Sequence, residues 1–253
     1  MRLGADPEVF LIDPKSGSFI SAINKIGGSK YDPLQVKGLP KGFTLQEDNV
    51  ALEFGIPPAK SAATFVKYIQ TVMNAGLAKI EKDGLNFSNL SAVYFPETEL
   101  NNEAAQTFGC EPDFNAWTGE MNPKPQAADA TLRSAGGHVH IETDLNPNLV
   151  GQACDLYLGI PSLVVDREGD LRRKLGYGRA GAIRYKPYGI EYRTLSNYWI
   201  FSPKHIRWVW NQVARALQHV KEGKEIPSAI EVIINENDRR FAKHVMKEHD
   251  LVS

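Results

Sequence analysis

Four short segments carry acids, imidazoles or an arginine at alternate positions: Asp6-Pro7-Glu8, Glu47 to Glu53, His138-Val139-His140 and Glu191-Tyr192-Arg193. Clustered carboxylates repel one another unless a cation neutralises them. Hard divalent cations do so, and Mg²⁺ favours carboxylate oxygens together with substrate phosphates. Imidazole can join that shell, and an arginine beside it can meet charge that develops on a transferring phosphoryl group. The residue types therefore suggest metal-bridged phosphate chemistry.

The elements that must position them are strands, because residues two apart on a strand share a face. Asp6 and Glu8 then face away from Val9 and Leu11. Over Thr44 to Phe54, read as one strand region, Glu47, Asn49, Ala51 and Glu53 share a face opposite Val50, Leu52 and Phe54. His138, His140 and Glu142 oppose Val139 and Ile141, and Glu191 and Arg193 oppose Ile190 and Tyr192. The simplest assembly is one antiparallel sheet. Its apolar side would pack on helices, and its polar side would carry Asp6, Glu8, Glu47, Glu53, His138, His140, Glu191 and Arg193. A merely solvated face would favour Thr and Lys of mixed sign.

In that order the motifs resemble the glutamine synthetase and glutamate–cysteine ligase superfamily, and most closely the small carboxylate–amine ligases (amidoligase type 2) found in phages. The resemblance rests on Gly4-Ala5-Asp6-Pro7-Glu8, Glu47 to Glu53, Gly136-Gly137-His138-Val139-His140 and Glu191-Tyr192-Arg193. It implies an α+β fold with a curved, half-barrel antiparallel sheet whose concave face is polar. It also implies an ATP- and Mg²⁺-dependent ligase, with Mn²⁺ as the alternative ion, that forms an amide through an acyl phosphate. Two metal sites follow from it. Glu8, Glu47 and Glu53 would hold the metal nearer the acid substrate. Asp6, His138 and Glu191 would hold the metal that bridges ATP phosphates. His140 and Arg193 would contact nucleotide or phosphoryl oxygens. Asp6 stands where the superfamily usually has glutamate, so its reach is shorter. The chain is much shorter than glutamine synthetase, so ring assembly does not carry over and the oligomeric state is left open.

A basic stretch from Asp166 to Lys186 reads as a clamp for triphosphate and substrate carboxylate, with Gly176, Gly178 and Gly181 letting the backbone come close. Arg179, Arg184 and Lys186 are its candidates for nucleotide contact, since arginine binds oxyanions bidentately. Arg193, Arg184 and Glu53 are the candidate catalytic residues. Two alternatives stand beside this reading: a zinc hydrolase built on His138 and His140, and an inactive module that binds nucleotide or peptide.

Composition narrows the classes. With 29 basic and 30 acidic residues the net charge is −1, which suits small-molecule or peptide substrates and not nucleic acid. Hydrophobic residues make up 42%, enough for a substantial core. Cys110 and Cys154 are too few for a disulfide framework and read as reduced thiols of a cytoplasmic protein. The first residues show no apolar leader, and no stretch approaches the ~20 apolar residues that span a bilayer.

No internal boundary stands out, so one domain over 1–253 is expected. A hairpin is expected at Val9–Ile12 with Gly17–Ile20, and helices over Ala59–Lys82, Asn148 to about Val164, Pro203–Lys221 and in the tail from Ser228 to His249. Phe108 to Asp113 reads as an ordered loop. Cys154, Trp208 and Trp210 read as packing residues, and His205, His219, His244 and His249 as surface.

Overall fold

The computed structural model describes residues 1–106, 113–123 and 129–251. Its centre is an eight-stranded antiparallel sheet. In chain order the strands are β1 (Arg2–Val9), β2 (Leu34–Gln35), β3 (Thr44–Asp48), β4 (Ala51–Gly55), β5 (Phe114–Asn115), β6 (Gly137–Glu142), β7 (Ala182–Lys186) and β8 (Gly189–Tyr192). They lie side by side as β2-β3-β4-β1-β6-β8-β7-β5. The sheet is curved and does not close, so the α+β architecture is as expected.

The three central strands alternate cleanly. Leu3, Ala5, Val9, Val139, Ile141, Ile190 and Tyr192 point into one core with almost no exposure. Two long helices cover that side. Ala62–Ile80 is capped by Ser61, whose side chain accepts from Thr64 N, and it buries Phe65, Ile69 and Val72 as the helical spacing predicts. Pro203–Lys221 has the expected bounds, with Pro203 in its first turn and Gly223 in the left-handed region (φ +62°) just beyond its end. Phe65 stacks on Trp199 between sheet and helices, at 5.8 Å between ring centres. Trp208, Trp210 and Cys154 are buried, as expected of packing residues.

Several elements depart from expectation for local reasons. Thr44 to Phe54 is a hairpin and not one strand. Asn49 takes a positive φ of +53°, and Asn tolerates this better than most residues, so the chain reverses at Asn49-Val50. Ile183 to Thr194 likewise holds a hairpin that turns at Pro187-Tyr188. The helix expected from Asn148 is capped by Asn146 and runs over Pro147–Cys154. It then passes through a π turn, Asp155–Gly159, into Ile160–Val165. The loosened turn comes just before Pro161, which offers no N–H and crowds the carbonyl four residues back. Pro147–Val165 is, against expectation, long and apolar enough by length and composition to cross a bilayer, but 67% of it is buried in the fold, as in a core helix. The tail forms two helices, Ala229–Asn235 and Arg239–Glu248. His219 is buried instead of exposed, held between the Tyr157 hydroxyl and the Glu225 carbonyl. The loop expected at Phe108 to Asp113 lies, apart from Asp113, outside the described residues, as does Cys110.

Candidate active site

Strand pairing decides which polar groups meet. Asp6 pairs with His138, His140 with Glu191, Glu8 with Glu53 and Arg184 with Glu191. Opposed residues in an antiparallel ladder share a face. The side away from the helices therefore presents Asp6 and Glu8 from β1, Glu53 from β4, His138 and His140 from β6, and Glu191 with Arg184 and Lys186 from β8 and β7. Arg193, just past β8, continues the row. Gly136 and Gly137 let β6 start beside its neighbours: a side chain on Gly136 would meet the His138 ring at 2.2 Å, and one on Gly137 would strike the Ser196 carbonyl.

Glu47 is the exception. The reversal at Asn49-Val50 changes the parity of everything before it, so Glu47 leaves the polar row and Asp48 joins it. The Glu47 carboxylate instead accepts the backbone N–H groups of Asn24, Ile26 and Gly27 at 2.7–3.0 Å, which fixes the loop between Ser21 and Asp32. Asp48 was missed because the segment was read through its turn. An Asp-Asn pair between two alternating runs was the available signal.

Two acid groups result. Asp6, His140 and Glu191 each bring a donor atom within 4.8 Å of the others, and so do Glu8, Asp48 and Glu53. In the first group His140 Nε2 lies 2.9 Å from Asp6 Oδ2, and its Nδ1 meets the Tyr188 hydroxyl. Despite burial, Asp6 raises the pKa of His140. Glu191 is almost fully buried and receives Arg193, Arg184 Nη1 at 3.2 Å and Lys186 Nζ at 2.8 Å. Burial opposes its ionisation, but Arg193, His138 and Arg184 together hold it well below the usual carboxylate range. His138 accepts from Arg193 Nη1 at 3.2 Å through Nδ1; burial, then Arg193, keep its pKa well below that of a free imidazole. His140 completes the first convergent group, and His138 Nδ1 lies 3.6 Å from Asp6 Oδ1 and 3.9 Å from Glu191 Oε1.

In the second group burial outweighs the cations nearby, Lys30 and Arg193 toward Asp48 and Arg193 and Arg172 toward Glu8. Glu8 Oε2 accepts from Gly136 N at 2.8 Å, yet burial and then Asp48 push its pKa up to about 7. Glu53 stands well above the carboxylate range through burial, Asp6 and Glu8. Carboxyls crowded this way fit a hard cation, which would supply the missing positive charge. Asp6 Oδ1 is buried, has no hydrogen-bond partner among the described residues and lies 3.6 Å from His138 Nδ1.

Two clefts flank the row. One, of about 110 Å³, runs past Glu8, Asp48 and His138 to Arg133, Arg172 and Arg179. The other, of about 510 Å³, runs past Asp6, Glu53 and His140 to Ile56, Pro58 and Tyr188. That volume suits a small-molecule site. Of the basic stretch, Arg184 and Lys186 reach the acids, and Arg179 is an exposed wall of the smaller cleft, its Nε on the Gly176 carbonyl. Arg172, part of the basic stretch but not among its candidates for contact, and Arg133, outside it, are both buried. Arg172 donates to the Thr194 carbonyl at 3.1 Å, and Arg133 binds Asn49 Oδ1 and the carbonyls of Ala105, Ala130 and Leu132. Arg133 so anchors the turn that presents Asp48. Nothing in their local pattern distinguishes them from solvated arginines.

Residues 128–236, rather less than half of the chain, match the family described as phage phiEco32-like COOH.NH2 ligase-type 2. The matched segment contains the His138-Val139-His140 strand, the basic stretch and Glu191-Tyr192-Arg193, and it supports the resemblance read from the motifs. Asp6, Glu8, Asp48 and Glu53 lie outside it. No curated protein matches the chain. A solved structure described as a novel glutamine synthase homolog aligns with 98% of this chain at 11% identity and a TM-score of 0.43. This chain spans 62% of that one's length.

Proposed function

We infer, from a segment that matches the carboxylate–amine ligases of type 2, that this chain is an ATP- and Mg²⁺-dependent ligase that joins a carboxylate to an amine. The observation that carries the reading is the pair of acid groups, Asp6/His140/Glu191 and Glu8/Asp48/Glu53, set side by side on one sheet face with Arg184, Lys186 and Arg193 against them. We take residues 1–253 to act as one catalytic domain in the cytoplasm on small-molecule or peptide substrates.

In this reading ATP phosphorylates the acid substrate and the amine displaces phosphate from the acyl phosphate. The two acid groups would hold Mg²⁺, or Mn²⁺, with His138 beside the first; the bound cations would neutralise the carboxylates and align phosphate oxygens. Glu191 anchors Arg193 and Arg184, which would turn their remaining N–H groups toward charge that develops on the transferring phosphoryl group. Lys186 and Arg179 extend that positive lining at the two ends of the row. His140 and Tyr188 border the larger cleft, where a nucleotide has room. Glu53 bridges the groups, facing Asp6 on one side and Glu8 on the other.

The test is phosphate release from ATP with Mg²⁺ across a matrix of carboxylic acids and amines, with Glu8→Gln as control. Release that requires both an acid and an amine, and disappears in the control, supports the ligase. Absence of ATP binding would overturn it.

A further inference from the structure

Asp155 has no exposed surface, and its hydrogen-bond donors among the described residues are all neutral. Trp117 Nε1 donates at 2.7 Å, the Gly181 backbone N–H at 2.5 Å and the Tyr192 hydroxyl at 2.8 Å, and the Thr194 hydroxyl oxygen lies 3.3 Å away. A buried carboxylate without a countercharge costs more than an apolar side chain of the same size, so space-filling does not account for it. Burial pushes its pKa up to about 7 in spite of those donors.

Its place in the fold is specific. Asp155 opens the π turn beneath the sheet. Tyr192 alternates with Glu191 and Arg193, so anchoring its hydroxyl fixes the strand rotation that aims its two neighbours at the opposite face. Gly181 leads into β7, and the carbonyl of Ala182 accepts from Arg193 N at 2.8 Å. Thr194 hands its carbonyl to Arg172 and its hydroxyl to the Arg179 carbonyl at 2.9 Å. One carboxylate therefore touches both the lead-in to β7, which carries Arg184, and β8, which leads to Arg193.

We propose that Asp155 is a positioning residue of the site: from beneath the sheet it holds Gly181 and Tyr192, and through them sets where Arg184, Glu191 and Arg193 meet on the other face. Its effect on turnover rests on the ligase reading; its effect on the arginines does not.

The experiment compares Asp155→Ala, Asp155→Asn and Tyr192→Phe in the full chain. Circular dichroism and melting report folding, the Nε–H resonances of Arg184 and Arg193 report placement, and phosphate release reports turnover. Asparagine can keep its oxygen on Trp117 and Gly181 and donate its amide N–H to the Tyr192 oxygen. Asp155→Ala is expected to shift both arginine resonances and lower kcat about tenfold where the fold is intact, as small misplacements do. Asp155→Asn is expected to recover most of both, and Tyr192→Phe to fall between. Folded variants with a lowered Tm but unchanged arginine resonances would overturn the proposal and leave Asp155 a core residue. If Asp155→Ala does not fold, Tyr192→Phe decides by the same resonances. If the wild-type chain releases no phosphate, the ligase reading fails while the resonances still judge the positioning.

Discussion

The two acid groups occupy one sheet face and neighbouring strands, yet they are built on opposite principles. Around Glu191 the chain supplies its own cations, two arginines and a lysine, and the carboxylate is held ionised. Around Glu8 and Glu53 it supplies few, and both carboxyls are pushed toward their neutral forms. The first group has most of its charge balanced by the fold itself, whereas in the second the acids outweigh the cations near them. Removing an acid should therefore harm the first group and relieve the second.

The largest expected effect is at Glu191. Glu191→Ala leaves Arg184, Arg193 and Lys186 facing one another, and losing one partner of a buried ionic cluster costs about 3–5 kcal/mol. Urea denaturation would measure it, and phosphate release should fall by at least ~100-fold. A variant as stable as wild type would show that the cluster is not self-supporting.

Glu53→Gln should do the reverse in the absence of divalent cations. Relieving the repulsion raises the melting temperature, by an amount on the order of 1 kcal/mol in stability. The same variant should lose most of the extra stability that Mg²⁺ gives the wild-type chain, since binding to the folded state stabilises by mass action. Equal Mg²⁺ stabilisation in both proteins would remove Glu53 from the metal site.

The pH dependences should also oppose each other. The pKa of Glu8 is raised in the fold, so its favourable contribution is full below about 4.5 and is lost as pH climbs through about 7. That of Glu191 is lowered, so its contribution is present above the ordinary carboxylate range and is lost only as the solution turns strongly acid. Metal-free urea midpoints should decline from pH 5 to 8, and Glu8→Gln should flatten that decline. A midpoint that rises over this range would contradict the contrast.

The smallest effect separates Glu47 from Asp48. Glu47→Gln weakens the charge-assisted bonds to Asn24, Ile26 and Gly27 and should cost about 1–2 kcal/mol, with Mg²⁺ affinity within ~3-fold of wild type. Asp48→Asn should weaken Mg²⁺ binding instead. Titration calorimetry on both variants would reverse the assignment if their roles were exchanged.

Much of this face was legible because strand alternation has a short, strict period. Asp6, Glu8, His138, His140, Glu191 and Arg193 all lie where alternation puts them. The same strictness made Glu47 fail. A two-residue turn hidden in a polar run flips the assignment of every residue before it, and Asn49 offers a weaker turn signal than glycine would. Arg133 and Arg172 were illegible for a different reason. The contacts that give them a role, Arg133 to Asn49 and Ala105 and Arg172 to Thr194, join segments far apart in the chain and leave no local pattern. The π turn at Asp155 was hidden as well, since one extra residue in a helical turn barely disturbs the apolar spacing.

The sheet does not close, and its two margins are β2 and β5, each only two residues long. An open sheet normally exposes a row of unpaired amides that invites another chain to add a strand. Here, among the described residues, β2 offers a visiting strand two residues, and β5 is already paired on its outer side, with Asn115 N donating to the Glu120 carbonyl at 2.8 Å and Asn122 N to the Asp113 carbonyl at 2.9 Å. Neither margin offers enough free backbone to hold a register, so the sheet resists growth into fibres although it stays open.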